Sequence, residues 1–287
     1  MKRTIGLVTS VAVVALATAV AAAPVTWVQH LVEQQHEAHK AVVEITVASS
    51  KDGKAAPVIV ASTAGAQGEA TKEQKQVIAE GHAHHTLLES GDLRVTEPLH
   101  DVVGGVIGAM TIVFKHPDSA GMKDADKIAA EIQRAVGKHL ISAKNAFDPY
   151  PYSAYPEHTF AQALVEKTFA KHPEVIILAT HSTPPGGKVN VISGSSIGRL
   201  GKEADEDDLR VIEKGETNLE VADNDQRFKV ELPLNDALGK RIGALGVVLR
   251  YSANADKEAL HKRAIAIRDE MARQIPDAAA LAQPSSH

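Results

Sequence analysis

The feature that most constrains the fold is a pattern written twice. LVEQQHEAHKAVVEITV, from Leu31 to Val47, runs alongside LVEKTFAKHPEVIILAT, from Leu164 to Thr180. The match continues through TAGAQG (63–68) with SIGRLG (196–201) and KQVIAEG (75–81) with LRVIEKG (209–215). It closes with PLHDVVGGVIGAMTIVFKH (98–116) beside PLNDALGKRIGALGVVLRY (233–251), and the offset drifts only from 133 to 135 residues. Each half of such a duplication must bury its own core, and a chain of 287 residues is long enough for two.

Each copy carries the same succession of periodicities. An amphipathic helix (25–41; 158–171) precedes two β-rich runs separated by the turns Lys51-Asp52-Gly53-Lys54 and Pro184-Pro185-Gly186-Gly187. A short helix over 71–80 or 205–214 stops at Gly81 or Gly215. Two long strands joined by Asp101–Gly104 or Asp236–Gly239 follow, then a closing helix over 123–141 or 255–274. The fold class expected is α+β: two tandem duplicated domains, each an antiparallel sheet covered by a leading and a closing helix. The strands 106–114 and 242–249 are apolar at nearly every position, so both sheet faces should be covered, with those two helices as the covers. The boundaries are 24–144, a Pro/Tyr-rich stiff linker 145–157, 158–276, and a flexible tail 277–287.

Met-Lys-Arg followed by the apolar run TIGLVTSVAVVALATAVAAA has the layout of a signal peptide over 1–23, cleaved near Ala21 to Ala23. The expected location is periplasmic or secreted; an uncleaved N-terminal membrane anchor is the competing reading. With no cysteine, disulfides, thiolate metal sites and cysteine nucleophiles drop out. A net charge of −5 argues against nucleic acid as a partner.

The element order, with the strand–turn–strand phrases DALGKRIGALGVVLRY and DVVGGVIGAMTIVFK, resembles the extracytoplasmic PAS-like modules called Cache domains, here in tandem as in a double-Cache sensor. The resemblance implies a pocket between the central sheet and the loop-plus-short-helix segment before the long strands, taking small molecules such as amino acids or carboxylates. Family receptors also carry a second transmembrane helix and a cytoplasmic output, which have no counterpart in this sequence. A sensor of this design would report to a membrane partner: a receptor, transporter or sensor protein.

The duplication also acts as an internal control, since residues shared by both copies are candidates for scaffold. The shared Gly65/Gly68 and Gly198/Gly201 read as turn glycines, not a phosphate loop, and Asp205 to Asp208 as a solvated helix start. The histidines differ: His82, His84, His85 and His100 face Glu216, Asn218, Leu219 and Asn235 in the second copy. Glu97 stands where the second copy has Leu232, on a row expected to be buried.

His82, His84, His100 and Glu97 are therefore the first-domain ligand candidates. Imidazole nitrogen with carboxylate oxygen suits zinc, nickel, copper or iron, or a haem. Glu33, His36 and His39 form a second, weaker group on the leading helix. In the second domain, Arg199 and Arg227 offer planar donor forks for a carboxylate and Asp236 an amine acceptor. No nucleophile elbow or paired metal-helix motif is present, so an enzyme is not expected. The functional alternatives are a small-ligand-binding sensor or solute-binding protein, a histidine-based metal or haem carrier, and a structural envelope module.

Overall fold

The computed structural model describes residues 25–117, 119–222 and 226–285. The signal-peptide region lies outside them. Among the described residues, no helix is long and apolar enough to cross a membrane.

The first domain opens with a two-residue strand β1 (Val25–Thr26) and helix α1 (Trp27–Ala38), followed by β2 (Val42–Ser49), β3 (Val58–Ser62) and α2 (Lys72–Glu80). Strands β4 (His84–Leu87), β5 (Leu93–His100) and β6 (Val106–Phe114) and helix α3 (Ser119–Gly137) complete it. A short helix α4 (Ala143–Ala146) and strand β7 (Pro149–Tyr150) lead to the second domain. That domain runs α5 (Phe160–Lys171), β8 (Val175–Ser182), β9 (Val191–Ser195), α6 (Glu206–Lys214), β10 (Asn218–Ala222), β11 (Arg227–Asn235), β12 (Arg241–Arg250) and α7 (Lys257–Ala272).

The sheets share one topology. Their orders are β3-β2-β6-β5-β4 and β9-β8-β12-β11-β10, with every neighbouring pair antiparallel. The expected α+β class and antiparallel sheets are present in both halves.

Local chemistry explains the shared short helix. Thr71 and Asp205 each close a capping box with the third helical residue, Gln74 or Asp208, and Gly81 and Gly215 end the helices at φ 70° and 74°. A left-handed stop of this kind is open to glycine at no steric cost, which is why both copies keep it.

One expectation is corrected. The leading and closing helices do not take opposite faces: α1 and α3 pack on the same face of the first sheet, where Val28, Leu31, Ile45, Leu99, Ile112, Ala129 and Ile132 form one core. Helices α5 and α7 do the same in the second domain, around Leu164, Leu178, Leu232, Leu245 and Ile267. Each fully buried Leu or Ile in these cores contributes about 1.5–3 kcal/mol. The opposite face falls to α2 or α6, and in the second domain also to its neighbour. Val102 and Val103, in the first domain's β5–β6 turn, and Ile141 pack against Ile176, Ile177, Ile197 and Val248.

The joining segment and the tail both pack on the domains, the tail contrary to the flexibility expected of it. The 145–157 segment is structured: β7 pairs with β1, and Tyr150 and Tyr152 pack at 5.7 and 5.6 Å from the Trp27 ring. The tail is docked through residue 285, because Leu281 is fully buried and the Gln283 carbonyl accepts from Phe160 N at 2.8 Å.

Candidate functional site

Strand alternation builds the site. In β11, Phe228, Val230, Leu232 and Leu234 face the helix-covered core, so Arg227, Lys229 and Glu231 must face the other way. On the same side lie Ile177, Ala179 and His181 of β8, and Gly246 and Val248 of β12. These residues floor a cleft of about 400 Å³. Its walls are the 195–205 loop, Asp208 of α6, and residues 141–148 from the segment that joins the domains.

The cleft is charged and buried. Arg227 and Glu231 are 1% exposed, and Arg199, Asp208 and His181 are also buried. Glu231 accepts from Lys229 Nζ at 2.6 Å and from Asn218 Nδ2 at 2.7 Å. Arg227 Nη1 donates to the Ile141 carbonyl, so the joining segment is tied to the strand floor. Arg199 Nη2 and Lys202 Nζ both bind Asp148 Oδ2, the lysine at 2.9 Å. Arg199 also holds φ at 70°, a left-handed backbone that a non-glycine residue adopts only under constraint from its surroundings.

Burial sets the protonation states. It lowers His181 to about 4, against the opposing pull of Glu231 and Asp205. It raises Asp208 to about 8, helped by the neighbouring charges of Asp205 and Glu231. Burial also works to lower the Lys229 ammonium, but Glu231 and the two aspartates outweigh it and hold it above its ordinary value. At neutral pH the cleft thus presents a neutral imidazole, a protonated carboxyl that can donate, and paired cations. That set can bind a polar molecule by hydrogen bonds and charge; it contains no assembled nucleophile and base.

The first domain has the same frame with different contents. Gln74, the counterpart of Asp208, donates from Nε2 to Thr111 Oγ1 at 3.2 Å and accepts from Thr71 N at 2.9 Å. Thr96 and Thr111 hydroxyls meet at 3.1 Å. Thr96, Thr111 and Ala48 stand where the second domain has Glu231, Gly246 and His181. Where the first copy joins Gln74, Thr111 and Thr96 by hydrogen bonds, the second has a buried charged cleft, and glycine in place of threonine at 246 leaves room on its floor. A shallower groove of about 490 Å³ beside β3 is lined by no ionisable side chain.

The sequence-based candidates fare unequally. Arg199 and Arg227 both line the cleft. Asp236 does not: its Oδ1 accepts from Leu238 N and Lys240 N and closes the β11–β12 turn, as Asp101 does with Val103 N and Gly105 N in the first copy. Asp208, expected at a solvated helix start, is buried in the site.

The set His82, His84, His100 and Glu97 is not brought together. His82 is exposed outside any strand, and His84 Nε2 pairs with Glu80 of α2 at 3.0 Å. His100 Nδ1 meets Gln133 Nε2 of α3 at 3.1 Å. Glu97 lies on the row of Val95 and Leu99, under α3, where burial raises it to about 7. It is His85, opposite Val95, that shares this face, and its Nε2 meets Asp126 of α3 at 2.6 Å. Antiparallel pairing places His84 opposite Thr96, on the other face, and this separates the two neighbouring histidines. Among the described residues, no group of three or more His, Asp or Glu is arranged to hold a metal ion. On α1 and at its C-cap, His36 and His39 contact the carbonyls of Val43 and Gln35 at 3.2 and 2.8 Å.

The residues that sequence reasoning missed are His181, Lys202, Lys229, Glu231 and Asp148. The signal for two of them was available: Arg-x-Lys-x-Glu alternates with Phe-x-Val-x-Leu within one strand, so a charged row lies on a strand whose other face is core.

The sequence matches no family model and no curated protein. Among solved structures, the chain is similar to the E. coli DhaR(N)–DhaL complex at 10% identity and TM-score 0.23, over 79% of this chain and 85% of that one. It is similar to PelD (158 to the C-terminus) of Pseudomonas aeruginosa PAO1 at 14% identity and TM-score 0.26, over 88% and 78%. A third similarity, at 9% identity and TM-score 0.20 over 80% and 99%, is to an RNA-binding Light-Oxygen-Voltage receptor. By its own geometry the protein is a tandem α+β protein with a charged cleft in its second domain.

Proposed function

We propose that this is an extracytoplasmic small-ligand-binding protein of two PAS/Cache-like domains, which takes a small polar organic molecule in the second-domain cleft and presents the bound state to a membrane partner. The observation that carries the reading is the cleft itself, with buried Arg227, Glu231, Arg199 and Asp208 around ligand-sized space. Burying charge is costly, so a cluster of buried charged side chains beside ligand-sized space supports a binding role. The position also agrees with the Cache resemblance, between the central sheet and the loop-plus-short-helix segment. Mixed charge favours small amphoteric or carboxylate molecules, bound by donor forks at one end and by Glu231 and Asp208 at the other. Export would release a chain beginning near residue 24, which mass measurement of the secreted protein reads directly.

The test uses the first domain's own solution. An added Cβ at Gly246 meets only the Ala179 carbonyl, at 3.8 Å, so Gly246→Thr fits the strand and fills cleft space as Thr111 does. Wild-type protein should be stabilised against heat by a member of a panel of amino acids and small carboxylates, by about 2.7 kcal/mol at one hundred times Kd. Gly246→Thr should lose that shift. A panel with no effect, or an equal effect on both proteins, rejects the reading.

A further inference from the structure

The anion position of the cleft is already occupied by the protein itself. Asp148, Arg199 and Lys202 all line the cleft, and the Asp148 carboxylate takes both cations on its Oδ2 oxygen. Asp148 belongs neither to the sheet nor to α6; it sits in the wall supplied by the segment that joins the domains, between α4 and β7. We propose that Asp148 is a built-in occupant of an anion site formed by Arg199 and Lys202. A ligand carboxylate enters by displacing it, and the displacement is relayed to the first domain. The proposal rests on the small-ligand reading above and names the group exchanged at that site.

Two observations support displacement over a fixed ion pair. The exchange swaps one carboxylate for another, so neither cation is left buried and unpaired when the ligand is bound. Arg199 is buried, which restrains its side chain, while the Lys202 side chain is 32% exposed and open to an incoming group.

The relay is a short covalent and hydrogen-bonded path. The Asp148 carbonyl accepts from Trp27 N at 2.7 Å, at the first residue of α1. The Trp27 ring packs against Tyr150 and Tyr152, and its Nε1 donates to the His139 carbonyl at 3.4 Å. Trp27 is also the chain's only tryptophan, so its emission reports this junction alone. Because Asp148 holds the site against the ligand, wild-type affinity for a carboxylate is reduced by the fraction of protein in which the site is closed.

The experiment titrates the intact protein with acetate at constant ionic strength, following binding by saturation-transfer NMR and the junction by Trp27 emission. Asp148→Asn should bind acetate at least about tenfold more tightly than wild type. Wild-type protein at saturating acetate should show Trp27 emission displaced in the direction of acetate-free Asp148→Asn. Equal acetate affinities, no acetate binding to either protein, or unchanged wild-type emission at saturation each overturns the proposal; the last is read on wild-type protein alone. The cleft reading is judged separately, by Gly246→Thr against the amino-acid and carboxylate panel, so one can fail while the other stands.

Discussion

His181 Nδ1 faces Asp208 Oδ2 at 3.4 Å across the floor of the cleft, without hydrogen-bond geometry. Both groups are held in their neutral forms near pH 7, from opposite directions: His181 lowered to about 4 and Asp208 raised to about 8. A pair of neutral, buried, titratable groups side by side makes stability depend on pH in two senses.

Between pH 4 and 6.5 the unfolded chain binds more protons at His181 than the native one, so that residue makes stability rise with pH. Asp208 acts oppositely. Its native carboxyl keeps a proton that the unfolded chain has lost, so its contribution falls as pH climbs from about 4 to about 8. Above about pH 7 Glu97, raised to about 7, completes a similar fall while Asp208 continues its own, so both lower stability there. Thermal unfolding of the ligand-free protein should show Tm falling between pH 7 and 8. Asp208→Asn, which keeps an oxygen for the Asp205 N–H in the capping box, should make that fall smaller, leaving the part due to Glu97.

The two Gly-x-x-Gly turns separate backbone strain from crowding. Gly68 has φ 96° with open space around a Cβ, whereas Gly201 has φ 82° and an added Cβ would overlap the Ser153 carbonyl. Gly68→Ala should cost about 1–2 kcal/mol for the left-handed backbone alone. Gly201→Ala should cost clearly more, because it also pushes the joining segment off the second domain. Urea denaturation of the two variants compares them; equal losses would remove the packing contribution.

Glu97 can be exchanged for what the other copy carries. Its Oε1 is buried without a hydrogen-bond partner, and Leu232 occupies the equivalent place in the second core. Glu97→Leu should therefore raise stability at pH 8 by about 1–3 kcal/mol and by less at pH 5, where the carboxyl is protonated.

The histidines around the first domain's short helix should be dispensable for folding. His82 is exposed, His84 makes a half-exposed pair with Glu80, and His100 meets Gln133 at the end of α3. Replacing all three by Asn should change stability by no more than about 1 kcal/mol, as for exposed pairs generally. A larger loss in calorimetry would assign them a structural role.

What the sequence by itself determined was everything carried by local pattern and repetition: two copies, helix and strand types, turn glycines, and the rows Phe228-Val230-Leu232-Leu234 and Leu93-Val95-Glu97-Leu99 on a buried face. These follow from periods of 3.6 and 2 and from the few residues that tolerate a positive φ. Arg199 and Arg227 were legible as donor forks for the same reason that Asp236 misled. Residue type announces chemistry, but only the turn geometry shows that the Asp236 oxygen is spent on backbone N–H groups. Tertiary structure decided the rest. The pairing register put His84 and His85 on opposite faces and broke up the histidine set. The stacking of both long helices on one face left the other face of the second sheet for α6, the 195–205 loop and the joining segment to enclose, which brings Asp148 to Arg199 across 51 residues. Such contacts depend on how elements pack and not on any spacing along the chain, so no period in the sequence encodes them.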